Sequence, residues 1–456
     1  MSSSISLERF FALVDANWRS LVVKGPKITS YLFGHIKHIR DSIPRGAWHK
    51  QMLQEYGHQD RLMTTDTKAL QHVLTNTMVY QKPEEIRYSL GDLLGHGLLF
   101  AEGQDHKRQR RIMNPAFGTM HIKEMTKVFV DKSNELRNAL SLLSPPGAVP
   151  SAGAADEWVP VEMLAYLSCT TLDIIGMAGF NYSFGALKTL VSKTAKKSPS
   201  ATTISEVKQE VINHGEEDVE SDETDAEHHD PLSSALARTI DSTNGGFAFL
   251  LLLKMYIPLF RLINFDRRSR LIRKSRVIIN QIGKSIVKDR KSAIAEENES
   301  GLDRRGGARD LLTLLIKANL TDNGEGKTGD RKLSDEEVMN QIPTFFLAGH
   351  ETTSTSTAWT LVSLACNPAV QDKLRTEILE VPTDHPTMEQ LNSLSYLDMV
   401  IRESLRYHSV VTGTVRVASQ EDVIPFEKPF EDKNGNLRSE LRCVESLYIS
   451  LLRADI

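Results

Sequence analysis

Apolar residues recur three and four positions apart over His121 to Leu143, Val161 to Met177, Ser269 to Ile294, Ser334 to Cys366 and Ala369 to Leu379. That period places them on one face of an α-helix, and Tyr396 to Arg406 reads the same way. Strand-like runs are few and short, namely Leu62 to Thr64, Val415 to Val417 and Leu441 to Ile449. The pattern predicts a mostly α protein with a small β region.

Breaks in the pattern predict the organisation. A Gly/Pro entry at Gly25 and Pro26 leads into apolar residues, so a short N-terminal segment, 1–24, precedes a folded domain expected over 25–456. Between Ser198 and Asp230 acids crowd together with almost no large apolar residue. Such a stretch buries too little surface to offset its ordering entropy, and a disordered acidic insertion is expected at 198–230. The stretches Gly301 to Gly307 and Thr321 to Gly329 read as loops. The apolar run Phe247 to Leu253, closed by Lys254 and followed by Arg261, is too short to cross a bilayer. It suits either a helix core or, with its flanking cations, a substrate-entry patch that touches lipid, a peripheral membrane contact; the cations favour the second. Phe10 to Val14, broken by Asp15 and Asn17, is likewise too short for a transmembrane anchor or a secretory signal.

Charge narrows the function classes. With 55 Lys plus Arg against 59 Asp plus Glu, the formal charge of -4 offers no overall excess of cations for phosphate, and no nucleic-acid partner is expected. Cys169, Cys366 and Cys443 are odd in number and far apart, which excludes a disulfide framework and a closely spaced zinc site. No metal cluster is expected. Glu227 to Asp230, reading EHHD, lies in the acidic stretch and reads as at most a loose chelator.

Three segments carry candidate chemistry. In Gln341 to Trp359, QIPTFFLAGHETTSTSTAW, a helix expected to be buried holds Glu351 beside Thr352 and a run of further hydroxyls. Burying these groups costs a few kcal/mol unless each finds a partner. Hydroxyls there can capture i−4 carbonyls and open the helix, Gly349 leaves room for a ligand against the backbone, and an acid beside an alcohol suits proton relay. A tightly packed Ser/Thr-rich helix with Glu351 in solvent accounts for the same residues. A zinc-peptidase reading of His350 and Glu351 fails, because Ser354 stands where the second His is needed. In Tyr396 to Arg406, YLDMVIRESLR, Glu403 and Arg406 share a face, while Arg416 lies in a strand-like run that follows. In Leu93 to Phe117, His106 and Arg110 lie one helical turn apart beside Arg108 and Arg111, until Asn114 and Pro115 stop the helix. That turn is either a solvated face or an anion clamp.

In this order the segments resemble the cytochrome P-450 family of haem-thiolate monooxygenases, over most of the chain from about Gly25. The resemblance implies a haem-pocket fold and a monooxygenase that inserts one atom of dioxygen into a small apolar substrate. It also implies haem b with its iron, and electrons from NADPH through a cytochrome reductase. AGHETT resembles the oxygen-binding helix motif, which makes Glu351 and Thr352 the acid and alcohol of proton delivery. ESLR resembles the Glu-x-x-Arg helix, which makes Glu403 and Arg406 a structural ion pair. His106 stands where the family often has Trp; with Arg110 and Arg416 it would hold the haem propionates, next to Gly349 at the cofactor. Members usually lie in the endoplasmic reticulum membrane facing the cytosol.

One departure matters. The family's Phe-x-x-Gly-x-Arg-x-Cys-x-Gly loop, which supplies the iron's thiolate, is not found in these 456 residues. Cys443 lies in a stretch resembling the β segment that precedes that loop, so the ligand role is not carried onto it; Cys169 and Cys366 read as small core residues. Thiolate donation favours O–O cleavage, so the expectation is a fold incomplete at its C-terminus and a chain inactive as it stands. The rival reading is a non-catalytic remnant that acts as a helical binding protein. A weaker one makes His350 the iron ligand.

Overall fold

The computed structural model describes residues 62–143, 161–196, 267–300, 310–320, 333–432, 435–445 and 447–452. The N-terminal segment, the acidic stretch at 198–230 and the apolar run at 247–253 lie outside the described residues. The chain divides into two compact units. One takes the residues up to Tyr88, Glu102–Asp105 and those from Val411 on; the other takes Ser89–Ala101 and His106–Val410.

The first unit is built on strands. β1 (Leu62–Thr64), β2 (Tyr80–Gln81), β3 (Gly413–Ala418) and β6 (Tyr448–Leu452) form a sheet in the order β1-β6-β3-β2. β1 runs parallel to β6 with Leu62 opposite Ile449, and β3 is antiparallel to β6 with Val415 opposite Ser450. β4 (Asp422–Glu431) and β5 (Leu437–Cys443) make a separate antiparallel pair. The expected strand over Leu441 to Ile449 is in fact the end of β5 and the start of β6, divided by a turn in which Leu447 N donates to Val444 O at 3.2 Å. β4 escapes the sequence reading because Pro425 and Pro429 cannot donate to a ladder, and the pairing is irregular between Pro425 and Phe430.

Helix α1 (Thr67–Thr75) covers β4. Its N-cap Asp66 accepts from Ala69 N at 3.0 Å and also from Glu427 N and Lys428 N, so one carboxylate starts the helix and ties it to β4. Leu62, Val73, Tyr80, Ile424, Cys443 and Ile449 are the heart of this unit's core. Helix α2 (Glu84–Leu94) begins here, and its Glu85 accepts from the Tyr448 hydroxyl at 2.8 Å.

The second unit is helical. From His106 on it holds α3 (Gly103–Met113), a 3-10 turn at Asn114–Phe117, α4 (Thr119–Ser141), α5 (Met163–Phe180) and α6 (Ala186–Lys196). These are followed by α7 (Arg267–Ser300), α8 (Leu311–Leu320), α9 (Asp335–Cys366), α10 (Pro368–Leu379), α11 (Met388–Asn392) and α12 (Ser395–Tyr407). The long periodic stretches of sequence become helices within a few residues of their predicted ends. Helix α9 and helix α5 share the broadest contact, and Phe180, Ile279, Leu312, Ile342 and Phe346 are buried around it. By length and composition α5 is apolar enough to cross a membrane, yet most of it is buried in this core.

Candidate active site

Helix α9 is anchored at its start. Ser334 accepts from Glu337 N at 3.1 Å and Glu337 accepts from Ser334 N at 2.7 Å, a capping box that satisfies two backbone donors. The Glu337 carboxylate also pairs with Arg108 of α3. Partial burial alone would raise the Glu337 pKa, but the hydrogen bonds from Arg108 and Ser334 and the guanidinium charge hold it below its ordinary value. Arg108 is thus a tie between helices instead of part of an open clamp.

Two turns on, Gln341 is fully buried and its amide is saturated. Its Oε1 accepts from Leu98 N at 2.9 Å, and its Nε2 donates to Gln109 Oε1 at 3.1 Å and Glu337 O at 3.2 Å. The loop that meets it has to be bare. A methyl group on Gly97 would stand 2.5 Å from the carbonyl oxygen of Asn340, and Gly95, at φ +81°, would place one 2.5 Å from Asn340 Oδ1. Gln109, Gln341, Gly95 and Gly97 therefore lock α3 and the 95–98 loop to α9. Sequence alone does not single them out; the one local signal is the Gly-His-Gly loop at 95–97.

The middle of α9 departs from expectation in three ways. It is not buried throughout, since Glu351, Thr352 and Thr353 are exposed. It is not opened either, because the helix runs unbroken from Asp335 to Cys366. The hydroxyls satisfy themselves within it: Thr352 Oγ1 donates to Ala348 O at 2.6 Å, Thr357 to Thr353 O and Thr360 to Ser356 O, each at 2.9 Å. Third, the room expected beside Gly349 for a ligand goes to α5, since a Cβ there would lie 2.9 Å from two side-chain carbons of Ile175. Gly349 is explained by helix packing.

His350 also faces α5. Its carbonyl accepts from Thr171 Oγ1 at 3.0 Å, and its Nδ1 lies 3.2 Å from Phe346 O. A carbonyl only accepts, so Nδ1 carries the hydrogen. Burial lowers the His350 pKa, with the Phe346 hydrogen bond and the Glu351 charge opposing. The ring is buried and bonded back onto its own helix.

The other expected site residues are distributed between the units. His106 is half-buried on α3; Arg110 is exposed there and makes no ion pair among the described residues. Arg416, in the first unit, is half-buried on β3, where its Nη1 donates to Thr414 Oγ1 at 2.6 Å and Val415 O at 2.9 Å. Burial lowers its pKa and the nearby Glu102 charge offsets part of that. Glu403 and Arg406 form the expected pair on α12, bidentate at 2.7 and 2.6 Å and exposed to solvent. Beside them Ser404 shares a 2.7 Å hydrogen bond with Thr360 of α9, which ties the two helices.

Cys443 is 0% exposed; its Sγ donates to Asp422 O at 3.3 Å, and burial raises its pKa. Cys169 is half-buried and pushed up to about 11, chiefly by burial. Cys366 is exposed at the end of α9, which corrects its reading as a core residue. Among the described residues no group of His, Cys, Asp and Glu is arranged to hold a metal ion.

The family model described as Cytochrome P-450 matches residues 25–214 and 226–426. Cytochrome P-450 monooxygenase 205 of Postia placenta is 37% identical over 460 residues, which cover 94% of this chain and 74% of that protein. Cytochrome P-450 monooxygenase 128 of the same fungus is 36% identical, covering 92% of this chain and 70% of its own length. Cytochrome P-450 monooxygenase claW of Ampulloclitocybe clavipes is 30% identical, covering 94% and 72%. The chain belongs to the cytochrome P-450 family, with its mostly helical fold and small sheet region. Its activity class is that of a haem-dependent monooxygenase, an oxidoreductase, and its cofactor is haem iron.

The donor set fits this cofactor in part. Arg110 and Arg416 hold guanidinium groups without an ion-pair partner among the described residues, the chemistry that a carboxylate-bearing macrocycle needs. The thiols do not fit an axial ligand: one is sealed in a sheet, one is packed between helices and one is on an open helix end.

Proposed function

We propose that this chain inserts one atom of dioxygen into an apolar organic substrate, with Glu351 and Thr352 as its proton-handling pair. The observation that carries the reading is an acid and an alcohol side by side on an exposed turn of a helix whose preceding turns are locked to α3 and α5. Haem iron, when bound, supplies the activation of dioxygen. The residues supply the rest. Thr352 holds its proton on Ala348 O; turning that hydroxyl outward presents a donor, and the helix loses only a bond that water can replace. Glu351, in solvent, replenishes the proton. His106 and Arg110 are the kind of donors that would take a carboxylate of the macrocycle, and Arg416 is a further guanidinium of the same chemistry. Electrons come from NADPH through a cytochrome reductase, and contact with membrane is peripheral.

None of the three thiols described above suits the axial position, and the 456 residues by themselves are expected to lack a thiolate-ligated iron. This favours the second reading, a helical binding protein, for the polypeptide in isolation. A carbon monoxide difference spectrum of the reduced polypeptide is expected to lack the thiolate-type Soret band, and its appearance would refute the assignment of the thiols. A chain extended with the C-terminal part of a relative is expected to take up haem. In that form Thr352→Ala should leave haem uptake unchanged and lower oxygenation about 100-fold, within the range for a lost proton-transfer group. Unchanged oxygenation would remove Thr352 from the mechanism.

A further inference from the structure

We propose that the solvent face of α7 is a docking stripe for a membrane surface rich in anionic phospholipid. The proposal rests on the peripheral membrane contact given above and assigns it a place. Every charged residue from Arg267 to Lys288 is a cation, although the chain as a whole carries a formal charge of -4. Arg270, Arg273, Lys274, Lys284 and Lys288 are exposed and make no ion pair among the described residues. At 3.6 residues per turn these five fall within an arc of about 100°, on a line about 27 Å long. The opposite face is buried in the unit through Ile272, Ile279 and Val287.

A helix face that serves only for solubility ordinarily alternates its charges, because acids at three and four residues support the helix and like charges at those spacings oppose it. Here Arg270, Arg273 and Lys274 repel one another, as do Lys284 and Lys288. The contrast with the rest of the helix is direct. Arg290 pairs with Asp310 at 3.1 Å and Lys291 with Asp335 at 2.7 Å, while Arg276 donates to Gly91 O. The stripe alone keeps its charge unspent, which calls for an anion from outside.

A lipid surface suits it better than a nucleic acid for two reasons. Val277 stands in the middle of the stripe, 50% exposed, where a phosphate-tracking groove would place a polar group and a headgroup layer accepts an apolar one. The sequence that enters the helix, from Phe247 to Phe265, is among the most apolar in the chain. Cations at an anionic surface each contribute about fivefold to binding, within a Debye length.

The test is co-sedimentation of the full 456-residue chain with vesicles of phosphatidylcholine alone or with about one-third phosphatidylserine. Binding is expected only to the anionic vesicles, and to fade with salt. The combined Arg270→Gln, Arg273→Gln and Lys274→Gln variant should lose about 100-fold in affinity, at about fivefold per cation, with an unchanged far-ultraviolet circular dichroism spectrum. Should that variant misfold, Lys284→Gln with Lys288→Gln should lose about 25-fold on the same basis. If the wild type binds anionic vesicles and the variants bind equally well, the stripe is wrong and the membrane contact lies elsewhere. Failure to bind either vesicle, with residues 216–230 deleted as well as present, overturns the membrane reading itself. Tighter binding to an oligonucleotide than to anionic vesicles makes the stripe a nucleic-acid site. Vesicle binding that emerges only after deletion of residues 216–230 makes the chain's own acidic stretch the occupant.

Discussion

The two halves of α9 meet the same problem under opposite conditions. From Val338 to Phe346 the helix is enclosed: Ile342 and Phe346 are 1% and 0% exposed, and the polar Gln341 among them is saturated by three hydrogen bonds. From Glu351 on it is more open, with Trp359 45%, Leu361 40% and Val362 50% exposed; apart from the Thr360–Ser404 tie its hydroxyls bond back onto their own helix, including that of the buried Ser354. A buried polar group needs partners from other elements, and so it fixes tertiary structure. An exposed one can be satisfied locally, and so stays available for chemistry. One half of the rod positions; the other half is positioned.

The sharpest way to test this division is to empty the enclosed half. Phe346 packs 4.5 Å from Phe180 and 5.1 Å from Phe184, centroid to centroid. Phe346→Ala should cost about 3–5 kcal/mol in denaturant unfolding, from lost transfer energy and the cavity left behind. A cost below about 1 kcal/mol would mean that the site collapses freely and that this half is no frame at all.

Next comes the lock on the 95–98 loop. Gly97→Ala drives a methyl group at the Asn340 carbonyl, which belongs to a helix backbone and cannot swing aside. The expected cost is about 1–3 kcal/mol. Gln341→Ala should cost about as much by another route, since it orphans Leu98 N and the Gln109 side chain. If the locking network behaves as a unit, the double variant will cost less than the two singles together.

Why this lock escaped the sequence, while the helices did not, has a physical cause. Helical period is a local property, repeated over many residues in α4, α5, α7 and α9, and errors at one position average out. The short helices α1 and α6 offer too few turns for that averaging. Gln109 and Gln341 are 232 positions apart, and nothing local in either segment marks its partner. The site divides the same way. Adjacency of Glu351 and Thr352, and the Glu403–Arg406 spacing, are written along single helices and were legible. The face each presents depends on what packs behind it. Sequence alone therefore leaves room for a ligand beside Gly349, which Ile175 fills, and groups Arg108 with the clamp, although Glu337 holds it.

A smaller effect distinguishes the halves by titration. His350 closes the enclosed stretch, and its burial keeps it neutral in the folded chain below the ordinary value of 6.5. As pH falls through 6.5 the unfolded chain takes up a proton that the folded chain refuses, so stability drops until the folded state also protonates. It is fully regained above 6.5. Unfolding free energies measured across that window should fall with acidity more steeply in the wild type than in His350→Gln. Equal slopes would place the ring in solvent, and the boundary between the two halves would then lie nearer Phe346.

The smallest expected effect belongs to Thr352, and it carries the most meaning for the division. Thr352→Ala removes a 2.6 Å hydrogen bond, which at a buried position would be costly. Here the Ala348 carbonyl lies on an exposed turn, and both residues are open to solvent. Water takes the vacated position at little cost. Alanine also has the higher helix propensity, by a few tenths of a kcal/mol over threonine, because it loses no χ1 freedom. The two contributions oppose, and the variant should unfold within about 0.5 kcal/mol of the wild type. A loss above about 1 kcal/mol would show that the hydroxyl holds the helix together, and its proton would then be committed to structure instead of being free to transfer.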